Sequence, residues 1–518
     1  MVWKADAPQG DEAAKVRLDL VHYFNGRCVD LGCGPRKVWP HVIGVDNGAD
    51  TKLFGIPMQP DLQVDTCEAL PVFGDAAFDC VFSSHLLEHI RDHRRALREW
   101  WRIVKPGGVL ILYLPHKDLY PNIGQPGANP DHKHDFLPQD IITAMAEVAA
   151  NWDLEVNEDR SAGYEYSFLQ VYRKTEKKHP QHSWRKPKPA KTCALVRLGA
   201  YGDAIMGASV LPQLKREGYH VTVYTERAGE EVLRHDPHID EIRVQPKGIF
   251  ADSALLVAYW LNEERKYDRF INLCGSVERR SLVSPQDQEF YLPHDIRKRL
   301  LNSNYLETIH LFAGVPFDRH AVAQRFYPTE QEKAWALAER AQIDGPVVVV
   351  NPGGSTAPKW WPHTQRLLEL LAEHRVHAVV LGDLRGHHYA PVAGFGRVIG
   401  TDWPMRKAMA FAQQADVVIG TESAIVNAVA FEPMLKLVLL SHSTHENLTR
   451  DWTETIGVQP VDVPCWPCHR LHANGWTHCS REKTTQAALC QAVVSAEQLA
   501  EEVTKYLAWK AGLQQEAA

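Results

Sequence analysis

The chain has 518 residues, a formal net charge of −7, and 45% apolar and 23% charged residues. That length implies two to four domains with sizeable cores, and the acidic balance argues against a general nucleic-acid coat. Ten cysteines in so long a chain make no disulfide scaffold, no apolar run reaches bilayer length, and the N-terminus does not read as a secretory signal, so a cytoplasmic protein is expected.

In chain order, Arg27 to Gly34 reads Arg-Cys-Val-Asp-Leu-Gly-Cys-Gly, a buried strand running into a glycine turn. A second strand, Val42 to Asp46, ends in an acid twelve positions after Gly34. Bare backbone at the first turn admits a ligand, and an acid closing the next strand can grip two ribose hydroxyls. Asp65 precedes Ala69-Leu70-Pro71, and a third strand, Phe78 to Ser84, leads into His85-Leu86-Leu87-Glu88-His89. A helix carrying Ala96, Leu97, Trp100 and Ile103 then reaches Lys105-Pro106-Gly107-Gly108 and a strand from Val109 to Pro115. His116, Asp131, His132, His134 and Asp135 gather in the Gly/Pro-rich loop beyond it, where an acceptor would enter. His134 is the candidate base there, and the cluster reads either as a solvated acceptor loop or as a metal site.

This succession closely resembles class I S-adenosylmethionine-dependent methyltransferases over roughly residues 16–172. The resemblance implies that Asp30, Gly32 and Gly34 line the methionine end of the cofactor, that Asp46 holds its ribose, and that Asp65 sits near the adenine amino group. One departure stands out. The family's further glycine after Gly34 is replaced by Pro35-Arg36-Lys37, and the segment up to Asp46 is short for a full helix. Proximity of methyl donor and nucleophile often suffices for catalysis in this family, so no base need be visible.

Arg173 to Lys191 holds eight Lys or Arg against one Glu, with Pro180, Pro187 and Pro189. Charge repulsion and proline make this a semi-rigid spacer, and its basic character leaves a contact with nucleic acid or a phosphorylated saccharide open.

The next strand, ending at Val196, stops at Gly199-Ala200-Tyr201-Gly202-Asp203 before an amphipathic helix. A glycine turn at a helix start suits an anion, and Asp203 can serve there as a general base or simply cap the helix. Strands at 220–225 and 270–273 follow, and a second set begins with Val347-Val-Val-Val-Asn351-Pro-Gly-Gly-Ser355 and continues at 378–382, 416–420 and 435–440. Two Rossmann-like halves in tandem enclose a cleft.

Residues 192–500 resemble the heptosyltransferase family of glycosyltransferases, which have the GT-B fold. The carrying pieces are Arg197-Leu-Gly-Ala-Tyr-Gly-Asp203-Ala204, Asn351 to Thr356 with Lys359-Trp360-Trp361-Pro362, and Ala415-Asp416 leading to Thr421-Glu422-Ser423. The resemblance implies inverting transfer from an ADP-heptose-like nucleotide sugar, with Asp203 as base. Ser355, Thr356 and Lys359 would hold the departing diphosphate, where negative charge develops, and Gly199, Gly202, Glu422, Ser423 and Ala424 would face the donor. The family usually carries Asp-Ser-Gly and a nearby His at the last element; this chain has Glu422-Ser423-Ala424 and Asn427. Cys465, Cys468, Cys479 and Cys490 read either as a structural zinc site or as reduced, partly buried thiols.

The expected architecture is α/β with three Rossmann-like domains: a methyltransferase-like domain over 1–172, the linker 173–191, an acceptor domain over 192–342 and a donor domain over 343–518. The expected function is glycosyl and methyl transfer to a glycan or glycoconjugate such as lipopolysaccharide. Its partners would be S-adenosylmethionine, a nucleotide sugar and a saccharide acceptor, with peripheral contact to a membrane-borne glycolipid. The rival readings are modification of DNA nucleobases and a non-catalytic scaffold of two nucleotide folds.

Overall fold

The computed structural model describes residues 11–48, 60–176, 191–246, 248–250, 253–384, 386–469 and 479–516. Most of the basic joint expected over 173–191 lies outside the described residues. Contacts divide the chain into two units, residues 1–189 with 244–266, and residues 190–243 with 267–518.

The first unit is built on a sheet of β1 (Cys28–Leu31), β2 (Ile43–Asp46), β3 (Leu62–Gln63), β4 (Phe78–Ser84), β5 (Val104–Pro115), β6 (Trp152–Arg160) and β7 (Ser167–Lys174). Their order is β3-β2-β1-β4-β5-β7-β6. β1 pairs in parallel with both β2 and β4, and β7 is antiparallel to β5 and β6. β1 is buried along its whole length, as a central parallel strand covered on both faces must be. The helix His93–Ile103 starts where the Asp92 carboxylate accepts the Arg95 N–H at 3.0 Å, and it buries Ala96, Leu97, Trp100 and Ile103 against the sheet. Chain order reverses across β1, with β2 on one side and β4 on the other, so the crevice beyond these strand ends is where a ligand settles.

Residues 244–266 were expected within the acceptor domain, but they pack with the first unit. Lys266 Nζ and Asn262 Nδ2 both reach Asp19 Oδ1 at 2.9 Å, Arg160 meets the other oxygen of Asp19 at 2.9 Å, and Phe250 lies edge-on to Trp39.

The second unit holds two sheets. The smaller comprises β8 (Thr192–Val196), β9 (His220–Thr225), β10 (Glu241–Val244) and β11 (Arg269–Asn272), in the order β10-β9-β8-β11. The larger comprises β12 (Val347–Asn351), β13 (His377–Leu381), β14 (Gly396–Gly400), β15 (Val417–Thr421), β16 (Leu435–Leu439) and β17 (Thr455–Val458), in the order β14-β13-β12-β15-β16-β17, parallel throughout. One apolar cluster runs from Leu195, Ile205 and Val223 to Val349, Val418 and Ile425, so the two sheets share a core. Each sheet reverses order at its first strand, β8 in one and β12 in the other. With the first unit this makes three Rossmann-like α/β sheets, as read from the sequence, the last two sharing one core.

Candidate functional site

In the first unit a cavity of about 700 Å³ opens at the β1/β4 switch point. Asp30, Gly32, Gly34, Asp46 and Asp65 all line it. Asp30, at the end of β1, is buried and accepts the Val38 N–H at 2.7 Å, which closes the turn without a helix between β1 and β2. Burial is the main cause that pushes its carboxyl up to about 7. Gly32 adopts φ +71°, and a Cβ there would stand 2.8 Å from Leu86, so only glycine leaves this wall open. Asp46 accepts the Gly34 N–H at 3.0 Å on one oxygen and the Gly48 N–H at 2.8 Å on the other. Those two bonds fix the carboxylate and leave each oxygen one further lone pair for a ribose hydroxyl.

The candidate base is placed differently from the expectation. His134 is not among the cavity-lining residues; its Nε2 donates to the Ile90 and Arg91 carbonyls, and its ring stacks on Phe136. It ties down a loop, its Nε2 held by the two carbonyls. The cavity wall instead carries Glu88, His89 and His132, with His85 beside them. Glu88 is 1% exposed, neither carboxylate oxygen has a hydrogen-bond partner, and burial pushes its carboxyl up to about 8. Burial and the neighbouring His89 push the His132 imidazole down to about 4. The Leu-Glu-His string marked Glu88 and His89 in the sequence, but nothing local showed that His132 joins them across 43 residues.

In the second unit the ends of β8, β12 and β15 converge on a cavity of about 610 Å³. Gly202, Asp203, Ser355, Lys359, Glu422, Ser423 and Ala424 line it; Gly199 and Thr356 flank it without lining it. The Asp203 carboxylate accepts the Ala200 N–H at 3.0 Å and meets Arg197 at 3.2 Å, and Arg197 in turn holds Glu278 at 2.8 Å. Asp203 is thus both the cap and the acid at the mouth, and the two readings of it are compatible. Gly202 has a packing reason: a Cβ there would come 3.0 Å from Asn427 Nδ2 on the facing helix.

Lys359 is buried and donates to the Glu422 carbonyl at 2.7 Å, with its Nζ 3.7 Å from the Glu422 carboxylate. The Glu422 carboxylate itself turns to the chain that follows β16. It accepts the N–H groups of Ser441 and Ser443 at 3.0 and 3.1 Å, and the Ser441 hydroxyl at 2.9 Å, and it pairs with His442 Nδ1 at 2.6 Å. Burial alone would raise its pKa, but His442, Lys359 and Ser441 together hold it well below the usual carboxylate range. Glu422 lines the cavity while its carboxylate also organises His442 and the wall around it. His442 and His469 also line this cavity, and no motif pointed to either.

Burial pushes the Cys479 and Cys490 thiols up, and the nearby Cys468 and Cys465 add to it, which puts the four cysteines in one neighbourhood. Among the described residues no disulfide is present, and the metal-ligand group whose donor atoms all come within 4.8 Å is Glu88–His89–His132, not the cysteines.

Residues 29–112, within the first unit, match the family model described as Methyltransferase domain. The ubiquinone biosynthesis O-methyltransferase of Xanthomonas oryzae pv. oryzae is 31% identical over 129 residues, covering 21% of this chain and 54% of that protein. The chain spans about half the length of this curated relative. Among solved structures, the Escherichia coli ADP-heptose lps heptosyltransferase II is 16% identical with a TM-score of 0.44, covering 63% of this chain and 99% of that one. A glycosyl transferase family 9 protein from Veillonella parvula is 15% identical with a TM-score of 0.43, covering 61% and 97%.

Proposed function

We propose that the chain is a bifunctional transferase. Its first unit transfers a methyl group from S-adenosylmethionine, and its second transfers a sugar, with inversion, from a nucleoside-diphosphate donor of the ADP-heptose type. Both would act on a glycan or glycoconjugate such as lipopolysaccharide. The observation that carries the reading is the convergence in one 610 Å³ cavity of an acid on the β8 side, Asp203, with a buried cation on the β12 side, Lys359. Glycosyl transfer needs both at once: a base to deprotonate the acceptor hydroxyl and positive charge to receive the departing diphosphate. In the first unit, Asp46 is held ready for a ribose beside the open glycine turn. The cysteine cluster is assigned no metal in this reading.

Calorimetric titration with S-adenosylhomocysteine, then with ADP, GDP and UDP, tests both halves. Binding in each series, lost in Asp46→Ala for the first and in Lys359→Ala for the second, is the expected result. Failure of all four ligands to bind would leave the non-catalytic scaffold.

A further inference from the structure

Glu88 presents a physical problem that the cofactor site does not solve. A carboxyl group that is 1% exposed and has no hydrogen-bond partner on either oxygen is a buried polar group left unsatisfied, which a bound ligand would meet. It lies on the cavity wall with two imidazoles, and the Nε2 atoms of His89 and His132 each stand 3.9 Å from its Oε1. These separations are too long for hydrogen bonds. They are a span that an ion about 2.1 Å from each donor can bridge. The geometry points to a divalent-cation site formed by Glu88, His89 and His132 at the edge of the methyl-donor cavity.

The site is built rather than accidental. The short helical turn Leu87–His89 carries Glu88 and His89, and the loop carrying His132 is pinned to it by main-chain bonds. The Lys133 and His134 N–H groups donate to the Glu88 carbonyl at 2.7 and 3.2 Å, and the His134 ring adds its bonds to Ile90 and Arg91. His134 therefore acts as the clamp that brings His132 to its partners. The His132 side chain is 5% exposed and that of His89 29%, so the group faces the cavity from the side of His89. Two imidazoles and one carboxylate suit a first-row divalent ion and leave coordination positions open.

The role of the ion rests on the methyl-transfer reading. An acceptor oxygen bound to it would lose its proton to solvent more readily, since a bound cation lowers the pKa of such a group. The oxygen then forms the new O–C bond as the donor's C–S bond breaks, and the electron pair of that bond leaves on sulfur. The acceptor class is accordingly a saccharide hydroxyl or carboxylate.

The test uses the full chain after chelator treatment, titrated with Mn²⁺ and followed by the loss of the free-ion paramagnetic resonance signal. S-adenosylhomocysteine binding is measured in parallel on the same samples. Mn²⁺ favours oxygen and nitrogen donors over thiolates, which separates this site from the cysteine cluster. One tight Mn²⁺ per chain is expected, weakened at least about tenfold in Glu88→Gln, His89→Gln and His132→Gln, since even outer-shell changes at metal sites cost that much. Those variants that still bind S-adenosylhomocysteine report on a folded unit, and unchanged Mn²⁺ affinity in them overturns the site. Loss of Mn²⁺ binding in Cys465→Ser/Cys468→Ser also overturns it. A wild-type chain that binds S-adenosylhomocysteine but no Mn²⁺ defeats the metal site and spares the methyl-transfer reading. Mn²⁺ uptake without S-adenosylhomocysteine binding does the reverse.

Discussion

Asp203 and Lys359 do different work in the proposed glycosyl transfer, and single substitutions separate them. Asp203→Asn keeps an acceptor for the Ala200 N–H but removes the base, so kcat should fall about 10²–10⁴-fold with nucleotide affinity little changed. Lys359→Met removes charge at the leaving group, with an expected loss of about 10²–10³ in kcat and weaker nucleoside diphosphate binding by calorimetry. Glu422 is expected to contribute to acid stability. Its pKa is depressed in the folded chain, so the stabilisation it gives is complete above its ordinary value of 4.5 and is lost as pH falls below that. Glu422→Gln should therefore flatten the fall in melting temperature of the second unit below pH 4.5, while lowering stability at neutral pH. A wild-type acid limb retained in the variant would assign that limb to other carboxylates.

At the scale of elements, the helix Ser253–Glu264 belongs to the first unit through a small ionic knot around Asp19. Asp19 receives Lys266, Arg160 and Asn262, and its side chain is 21% exposed, so the pairs are only partly screened. Lys266→Met should cost about 1–2 kcal/mol, between the values for exposed and buried pairs. Amide exchange over 253–264 should quicken while the sheet of the second unit is unaffected. The contact of the β8 helix with the helix after β15 offers a second check. Gly202→Val must displace Asn427, which also carries the Gln324 bond at 2.9 Å, and overpacking of this kind costs about 1–3 kcal/mol by denaturant melts.

For the molecule as a whole, the two cavities lie in separate units, and ligand protection should follow that division. S-adenosylhomocysteine at 100 times its Kd stabilises the state that binds it by about 2.7 kcal/mol. Hydrogen exchange should slow around 30–48 and 84–91 with that ligand, and around 353–359 and 421–427 with ADP. Much of this layout was legible beforehand. The runs Val29–Leu31 and Val347–Val350 announce buried parallel strands, and Gly32, Gly34 and Gly202 mark turns and close approaches, because strand burial and glycine geometry are written in neighbouring residues. From such runs the sequence by itself determined three sheets built around parallel strands, their glycine turns and the acids at their mouths. The tertiary structure alone decided that His134 clamps a loop while His132 comes near Glu88, that the Glu422 carboxylate pairs with His442, and that residues 244–266 leave the sheet around them for the first unit. Each of those outcomes depends on a hydrogen bond, an ion pair or a buried carboxylate joining segments far apart in the chain, and no local periodicity encodes such a meeting.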